Sequence, residues 1–225
     1  MSTSKKARKG NSNQIKINGF EPITARNYAQ STYLESLRSN QITFAVGPAG
    51  TGKSYIATAF AAEQLYYKKV DKILITRPAV EAEESLGFLP GELEDKYAPY
   101  LAPVRDILEG LLGKSFVEYC LRTGSIEPVP IAYMRGRTFE NAICIIDEAQ
   151  NVTPGQMKLI LSRIGDNCRF IIDGDVSQKD IKGHSGLEDG ITRLEGIRGI
   201  EVVRFLTHDI VRSDMCKKII QAYSD

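Results

Sequence analysis

The chain has 225 residues, of which 42% are hydrophobic and 25% are charged, and its formal net charge is +1. These values fit one globular domain with a sizeable core, with or without appendages, and give no overall basic field that would attract nucleic acid. No apolar run is long enough to span a bilayer, and no apolar stretch follows the first lysines as it does in a signal peptide. We therefore expect a cytoplasmic protein with no membrane contact.

Residues 1–14 are predicted to form a disordered basic tail, ahead of one domain at residues 15–225. The tail is rich in Ser, Asn and Lys, and such a stretch cannot bury enough apolar surface to fold. Its basic residues either contact phosphates or solubilise the terminus, and the second interpretation is the more common one. They are Lys5, Lys6, Arg8 and Lys9.

The cysteines and histidines do not form a metal-binding pattern. There are 4 cysteines and 2 histidines, with no Cys-x-x-Cys pair and no motif that joins a histidine to a cysteine. Separated thiols of this kind indicate a reducing compartment, in agreement with a cytoplasmic location. The residues are Cys120, Cys144, Cys168, Cys216, His184 and His208.

Short apolar runs alternate with helical segments along the chain, which predicts a single α/β domain with a mostly parallel sheet and helices on both faces. Residues 126–131 are a candidate edge strand or loop, because Pro128 and Pro130 cannot donate to a central ladder. The other predicted strands are residues 42–46, 73–76, 142–146, 169–172 and 201–205.

Start and stop signals predict the helices. Thr24 is expected to cap a helix at about residues 26–38, an Ala-rich helix follows at 53–67, and the last helix is expected at 213–223. After Pro99, apolar residues at helical spacing predict a further amphipathic helix. They are Leu101, Val104, Leu108 and Leu111.

The strongest helix start lies at Thr153. Thr153 is a favoured N-cap, Pro154 suits the first helical position, and Gln156 completes a capping box. The helix is expected to end at Gly165.

Residues 47–54 fit the phosphate-loop pattern G-x-x-x-x-G-K-[ST] at every fixed position. A predicted strand leads into the segment and a predicted helix leads out, which argues against a chance Gly-rich turn. Loop N–H groups and the positive end of the helix would bind the phosphates, with Lys53 on the β- and γ-phosphates and Ser54 on Mg²⁺. The predicted nucleotide-binding residues are Gly47, Pro48, Ala49, Gly50, Thr51, Gly52, Lys53 and Ser54.

An acidic pair, Asp147 and Glu148, ends the predicted strand at 142–146. Asp147 is placed to hold Mg²⁺, directly or through water, and Glu148 to polarise an attacking water as a general base. The alternative, two acids that face solvent, is weakened by their order after a phosphate loop.

The next predicted strand is followed by Gly174 and Asp175, and then by Gln178. Because this strand is expected beside the one that ends at Asp147, Gln178 is a candidate to respond to the γ-phosphate. A solvated Gln after a Gly-Asp turn is the alternative, and the string alone does not decide between them.

Other phosphate-loop classes fit less well. The guanine-reading string Asn-Lys-x-Asp of GTPases is missing, and the nearest string, at residues 68–71, lacks the Asn. A Glu directly after the magnesium Asp favours water as the nucleophile over the acceptor of a small-molecule kinase.

Together these motifs resemble the PhoH-like ATPases, which are relatives of superfamily 1 helicases. The resemblance covers the chain from about residue 25 to its C-terminus. Two sequences within the matching strings, LGFLPG at 86–91 and MRGRT at 134–138, are particular to this family. The strings are GPAGTGKS at 47–54, TRPAVE at 76–81, LGFLPG at 86–91, YMRGRTF at 133–139, DEAQN at 147–151, and Gly174-Asp175 with Gln178.

The resemblance implies a RecA-like core that uses ATP and Mg²⁺. It also implies that Gln30 reads the adenine base, that Arg77 approaches single-stranded nucleic acid, and that Arg212 senses or stabilises the γ-phosphate. Arg135 and Arg137 are further candidates for nucleic-acid contact, so RNA or single-stranded DNA is the expected partner.

The chain has room for one RecA-like lobe, whereas two-lobed helicases take arginines from their second lobe. An arginine finger from a neighbouring molecule contributes about 10³–10⁵ in rate in other phosphate-loop enzymes. We therefore predict a head-to-tail homo-oligomer, a hexameric ring, with Arg135, Arg137 or Arg212 as the finger.

Three functional hypotheses follow. The first is a Mg²⁺-dependent, helicase-like ATPase that acts on RNA or single-stranded DNA. The second is an ATP-gated binding scaffold with negligible turnover, and the third is a small-molecule kinase.

Overall fold

The computed structural model describes residues 19–78, 93–212 and 215. The predicted basic tail, the string at 86–91 and, apart from Met215, the predicted last helix lie outside the described residues. Those three expectations stay predictions.

A six-stranded parallel sheet forms the centre of the domain, in the order β3-β2-β4-β5-β1-β6. The predicted α/β fold class, one domain with a mostly parallel sheet, is confirmed. The strand β3 lies at an edge, as its prolines predicted. The strands are β1 (Ile42–Val46), β2 (Lys72–Thr76), β3 (Ile126–Pro128), β4 (Ala142–Ile146), β5 (Cys168–Gly174) and β6 (Ile200–Arg204).

Helices cover both faces of this sheet. One core lies under α1–α4 and includes Tyr33, Ile56 and Val104, while the other lies under α5 and α6 and includes Met157 and Leu187. None of the described helices is long and apolar enough to cross a membrane. The helices are α1 (Tyr28–Ser39), α2 (Lys53–Tyr66), α3 (Leu93–Leu112), α4 (Lys114–Thr123), α5 (Pro154–Leu161) and α6 (Gly186–Leu194).

The predicted start of α1 was wrong. Asn27, not Thr24, is the N-cap, and its side chain accepts a hydrogen bond from the Gln30 N–H at 2.8 Å. The exposed Thr24 hydroxyl instead donates to the Pro22 carbonyl at 3.4 Å. Asn is among the best N-cap residues because its short side chain reaches the unpaired N–H groups of the first turn.

The capping box of α5 is confirmed, but the predicted end of this helix was wrong. Thr153 and Gln156 exchange the two expected hydrogen bonds. The helix ends at Leu161, four residues before Gly165. Gly165 has a different role, because a Cβ atom there would lie 2.7 Å from the carbonyl oxygen of Phe139.

The corrected cap can be tested by paired substitutions. Asn27→Ala is expected to lower the free energy of unfolding by about 1 kcal/mol, the usual cost of a lost N-cap. Asn27 also donates to the Asp209 carbonyl at 3.0 Å, which adds to the loss. Thr24→Ala is the control and should change stability by less than about 0.5 kcal/mol. Urea unfolding measures both, and equal losses would contradict the assignment.

Candidate functional site

The phosphate loop (residues 47–54) connects β1 to α2 and depends on its glycines. Gly47 and Gly50 have φ values of +147° and +82°. A Cβ atom would lie 2.3 Å from the Phe205 carbonyl oxygen at Gly47, and 2.5 Å from the Arg212 Nε at Gly50. Only glycine fits both the backbone conformation and the space at these positions.

Lys53 begins α2 and is 8% exposed. Its Nζ donates to the carbonyl oxygens of Gly47 at 2.6 Å and Pro48 at 2.8 Å. Burial lowers the pKa of Lys53, and four surrounding carboxylates oppose that effect. In order of influence these are Asp173, Asp175, Glu148 and Asp147.

The two predicted magnesium ligands are in direct contact. The Ser54 hydroxyl donates to Oδ1 of Asp147 at 2.9 Å, which joins the start of α2 to the end of β4. Burial raises the pKa of Asp147, while Arg77 and Ser54 lower it. A hydroxyl and a carboxylate suit Mg²⁺, which is usually bound by one or two carboxylates together with waters and substrate phosphates.

Within the described ranges, no group of three or more His, Cys, Asp and Glu side chains could hold a metal ion. Oxygens of water, or of a bound phosphate, would therefore have to complete the coordination of a cation at Ser54 and Asp147.

Glu148 has an uncommon backbone conformation for a residue with a side chain, with φ +54° and ψ +40°. Its carboxylate is held at both oxygens: Arg77 donates to Oε1 at 2.9 Å and Gln150 donates to Oε2 at 2.7 Å. Arg77 also lies 3.9 Å from Asp147. The predicted nucleic-acid residue Arg77 is thus in direct contact with the predicted base.

Asp175, which was not predicted as a site residue, connects the phosphate loop to the segment after β5. Its Oδ2 accepts from the Ala49 N–H at 3.1 Å and from the Gln178 amide at 2.9 Å. Its Oδ1 accepts from the N–H and hydroxyl of Ser177. An Asp two residues before a Ser, at the end of a buried strand, was the available sequence signal for this turn.

Gln150 was also missed by the sequence analysis. In addition to holding Glu148, its side-chain oxygen accepts from the Asp175 N–H at 3.0 Å. No side chain fits at Gly174, where a Cβ atom would lie 2.6 Å from the same oxygen. Gln150 therefore links the segment after β4, which contains Glu148, to the segment after β5, which begins at Asp175.

Gln30 lies behind the phosphate loop and is 3% exposed. Its amide donates to the Thr51 carbonyl and accepts from the Arg26 N–H, each at 2.9 Å. These contacts support the loop, and adenine recognition by Gln30 stays a prediction.

One pocket brings most of the predicted residues together, at the edge of the sheet where the strands end. It is lined by Lys53, Ser54, Asp147, Glu148, Gln178 and Arg212, among others. Of the predicted residues outside its lining, Gly47, Pro48 and Arg77 contact residues that line it. Thr51 lies within the phosphate loop and contacts Gln30. The two nucleic-acid candidates, Arg135 and Arg137, lie elsewhere. Arg135 is exposed on another loop, and Arg137 forms paired hydrogen bonds of 2.7 and 3.0 Å with Glu127.

Asp173 is the least expected residue near this pocket. It is 1% exposed, and neither carboxylate oxygen accepts a hydrogen bond of ordinary geometry. Burial raises the pKa of Asp173 well above its usual range, as does Asp147, while Lys53 and Ser54 oppose the shift. The Tyr33 hydroxyl also lacks a hydrogen-bond partner. The pKa of Tyr33 is raised well above its usual range, mainly by burial and to a smaller extent by the negative charge of Asp173.

Comparisons with known proteins identify the family. The model of the family described as "PhoH-like protein" matches residues 22–224. "Protein PhoH" from Escherichia coli (strain K12) is 51% identical over 207 residues, which cover 90% of this chain and 58% of that protein. The "PhoH-like protein" of Bacillus subtilis (strain 168) is 47% identical over 203 residues, which cover 89% and 64%. The chain thus spans less than two thirds of the length of these relatives.

Two solved structures resemble the chain at low sequence identity. The UvsW helicase from Bacteriophage T4 has a TM-score of 0.45 and 16% identity, with 85% of this chain and 64% of that chain covered. The Pif1 helicase from Candida albicans has a TM-score of 0.41 and 15% identity, with 82% and 41% covered. Since the family match extends over residues 22–224, this chain belongs to the PhoH-like protein family.

Proposed function

We propose that this chain binds ATP with Mg²⁺ and hydrolyses it, and that it acts in a helicase-like way on RNA or single-stranded DNA. The observation that carries the proposal is the 2.9 Å contact between Ser54 and Asp147, which unites the phosphate loop with the acidic strand. The pairing of these two elements is what a phosphate-loop hydrolase requires.

Phosphate binding would use groups that now have partners inside the protein. The Lys53 ammonium would exchange the carbonyl oxygens of Gly47 and Pro48 for the β- and γ-phosphates. Backbone N–H groups at the start of α2 would bind the remaining phosphate oxygens. Ser54 and Asp147 would hold Mg²⁺. The ion would neutralise negative charge on the β- and γ-phosphates.

Hydrolysis would use Glu148 as the general base. Gln150 donates to Oε2 and fixes the orientation of the carboxylate, whereas Arg77 donates to Oε1 and attracts the negative charge that would accept a proton from water. Arg77 therefore restrains the base. A polynucleotide phosphate that competes for the Arg77 guanidinium would release Glu148 and couple nucleic-acid binding to hydrolysis.

The same contact favours a second candidate function. With both Glu148 oxygens engaged, the chain could bind ATP and hold a partner with negligible turnover. In such a scaffold the nucleotide state would control the partner, and the base would never be needed.

Glu148→Gln distinguishes the two functions. For an ATPase we expect phosphate release to fall by about 10²–10⁴-fold, the usual contribution of a general base. Affinity for a fluorescent ATP analogue should change by only a few-fold, because the phosphate contacts remain. The exposed Glu140→Gln is the matched control. A wild-type rate in Glu148→Gln would contradict the assignment of the base, and negligible wild-type turnover would favour the scaffold.

Removing Arg77 tests the restraint on the base. Arg77→Gln is expected to raise phosphate release without nucleic acid by about two- to five-fold, since partly exposed ion pairs contribute up to about 1 kcal/mol. Stimulation by single-stranded RNA or DNA should then be lost, and in the wild type it should fade with salt. The exposed Arg198→Gln should behave as the wild type. A slower basal rate with intact stimulation would overturn this coupling.

A head-to-tail oligomer, such as a hexameric ring, belongs to the same proposal. Arg135 is the candidate finger that the contacts support, because Arg137 is paired with Glu127 and Arg212 lines the pocket of its own chain. Sedimentation with an ATP analogue should give a mass several times the 24.9 kDa of one chain. Arg135→Ala should assemble but lose about 10³-fold or more in turnover, with Arg198→Ala as the control. A monomer at every concentration would exclude the ring.

A further inference from the structure

The buried carboxylate of Asp173 calls for an explanation. Its two oxygens and the Tyr33 hydroxyl are the only buried side-chain polar atoms among the described residues without a hydrogen-bond partner. A buried carboxyl group without a hydrogen-bond partner is costly whether or not it is ionised. A carboxylate in this position therefore points to a function that outweighs its cost.

The strand register places Asp173 directly beside Asp147. β5 lies between β1 and β4, with Ala45 opposite Asp173 and Ile146 opposite Ile172. Asp147 follows Ile146 directly and Asp173 follows Ile172, so the two carboxylates lie one position beyond the last paired residues of two neighbouring strands, which are about 4.8 Å apart. Side chains alternate along strands, and residues opposite each other share a face, so both carboxylates point toward α2.

The residue that α2 offers to this pair is Ser54. Its hydroxyl has one hydrogen and two lone pairs, and the hydrogen is now donated to Asp147. A serine that ligates a cation directs a lone pair at the ion, so its hydrogen must go to an acceptor outside the coordination shell. Asp147 would turn toward the same ion, and Asp173 is the acceptor on this face that is not otherwise used.

We propose that Asp173 is a positioning residue for the divalent cation: it accepts the Ser54 hydrogen, adds a second negative charge behind Asp147, and lets the chain bind the cation before the nucleotide. The inference rests on the proposed function and specifies how its metal site is built. The partner groups of metal ligands orient the ligands and increase their affinity for the ion.

A competing role for Asp173 is to pair with Lys53, whose charge lies nearby. The Lys53 ammonium already donates to two carbonyl oxygens and has one hydrogen left. If Asp173 served Lys53 alone, its removal would alter phosphate binding measured in EDTA and leave cation binding unchanged. The two roles therefore predict different measurements.

The test is a titration of the nucleotide-free full chain with Mn²⁺ alone, with free Mn²⁺ measured by electron paramagnetic resonance. The wild type should bind one Mn²⁺ per chain. Asp173→Asn keeps the shape and removes the charge, and should weaken binding by about 10–100-fold, the usual effect of losing a partner of a metal ligand. Asp166→Asn, exposed at the opposite end of β5, is the control and should bind as the wild type.

Thermal unfolding provides a second measurement. A merely structural role of Asp173 would not make the effect of Mg²⁺ on the Tm depend on this residue. In EDTA, Asp173→Asn should be at least as stable as the wild type, because an amide costs less to bury than a carboxylate. Added Mg²⁺ should raise the Tm of the wild type and not that of the variant. Asp173→Ser serves the same comparison if the Asn variant does not fold.

Each outcome has a distinct meaning. Wild-type Mn²⁺ affinity in Asp173→Asn would overturn the inference and leave the proposed function standing. Binding of Mn²⁺ by the wild type only together with ADP would also overturn it. Failure to bind Mn²⁺ even with ADP would instead contradict the proposed function.

Discussion

The parallel sheet brings four carboxylates and one lysine close together at one edge, and the other features of the site depend on this arrangement. β1, β4 and β5 end at the same edge, so the start of α2 lies directly over the acidic ends of two neighbouring strands. The hydrogen bond from Ser54 to Asp147 joins residues 93 positions apart and connects the start of α2 directly to the end of β4. Lys53 is the buried cation there, surrounded by Asp147, Glu148, Asp173 and Asp175.

This excess of carboxylates determines what the pocket can bind. A triphosphate brings further negative charge, so the loop amides and Lys53 would have to bind it beside groups that repel it. A divalent cation would resolve the conflict, because bound cations are often the largest local charges in a site and reverse the electrostatics around them. Arg77 and Arg212 add positive charge at the rim, but Arg77 is already paired with Glu148.

The sequence predicted the parts of this arrangement that are local in the chain. The phosphate loop, the strand before Asp147 and the capping box at Thr153 all depend on neighbouring residues, and each could be recognised from its string. Gln150 and Asp175 stand in recognisable strings, but their roles could not be predicted because they depend on contacts 25 and 126 positions away. No motif in the sequence identified Asp173 as a site residue, because it only continues an apolar strand. Its position near Asp147 becomes visible only from the register of β4 and β5.

The exposure of the Arg77–Glu148 pair decides what kind of control it can exert. The two side chains are 27% and 33% exposed, so water screens their attraction and the pair contributes up to about 1 kcal/mol. A fully buried pair would cost about 3–5 kcal/mol to break by removing one partner. Contacts with several phosphates of a polynucleotide can supply the smaller amount, because each neutralised phosphate releases counterions. The weakness of the pair thus suits the proposed release by nucleic acid better than a permanent block on the proposed base.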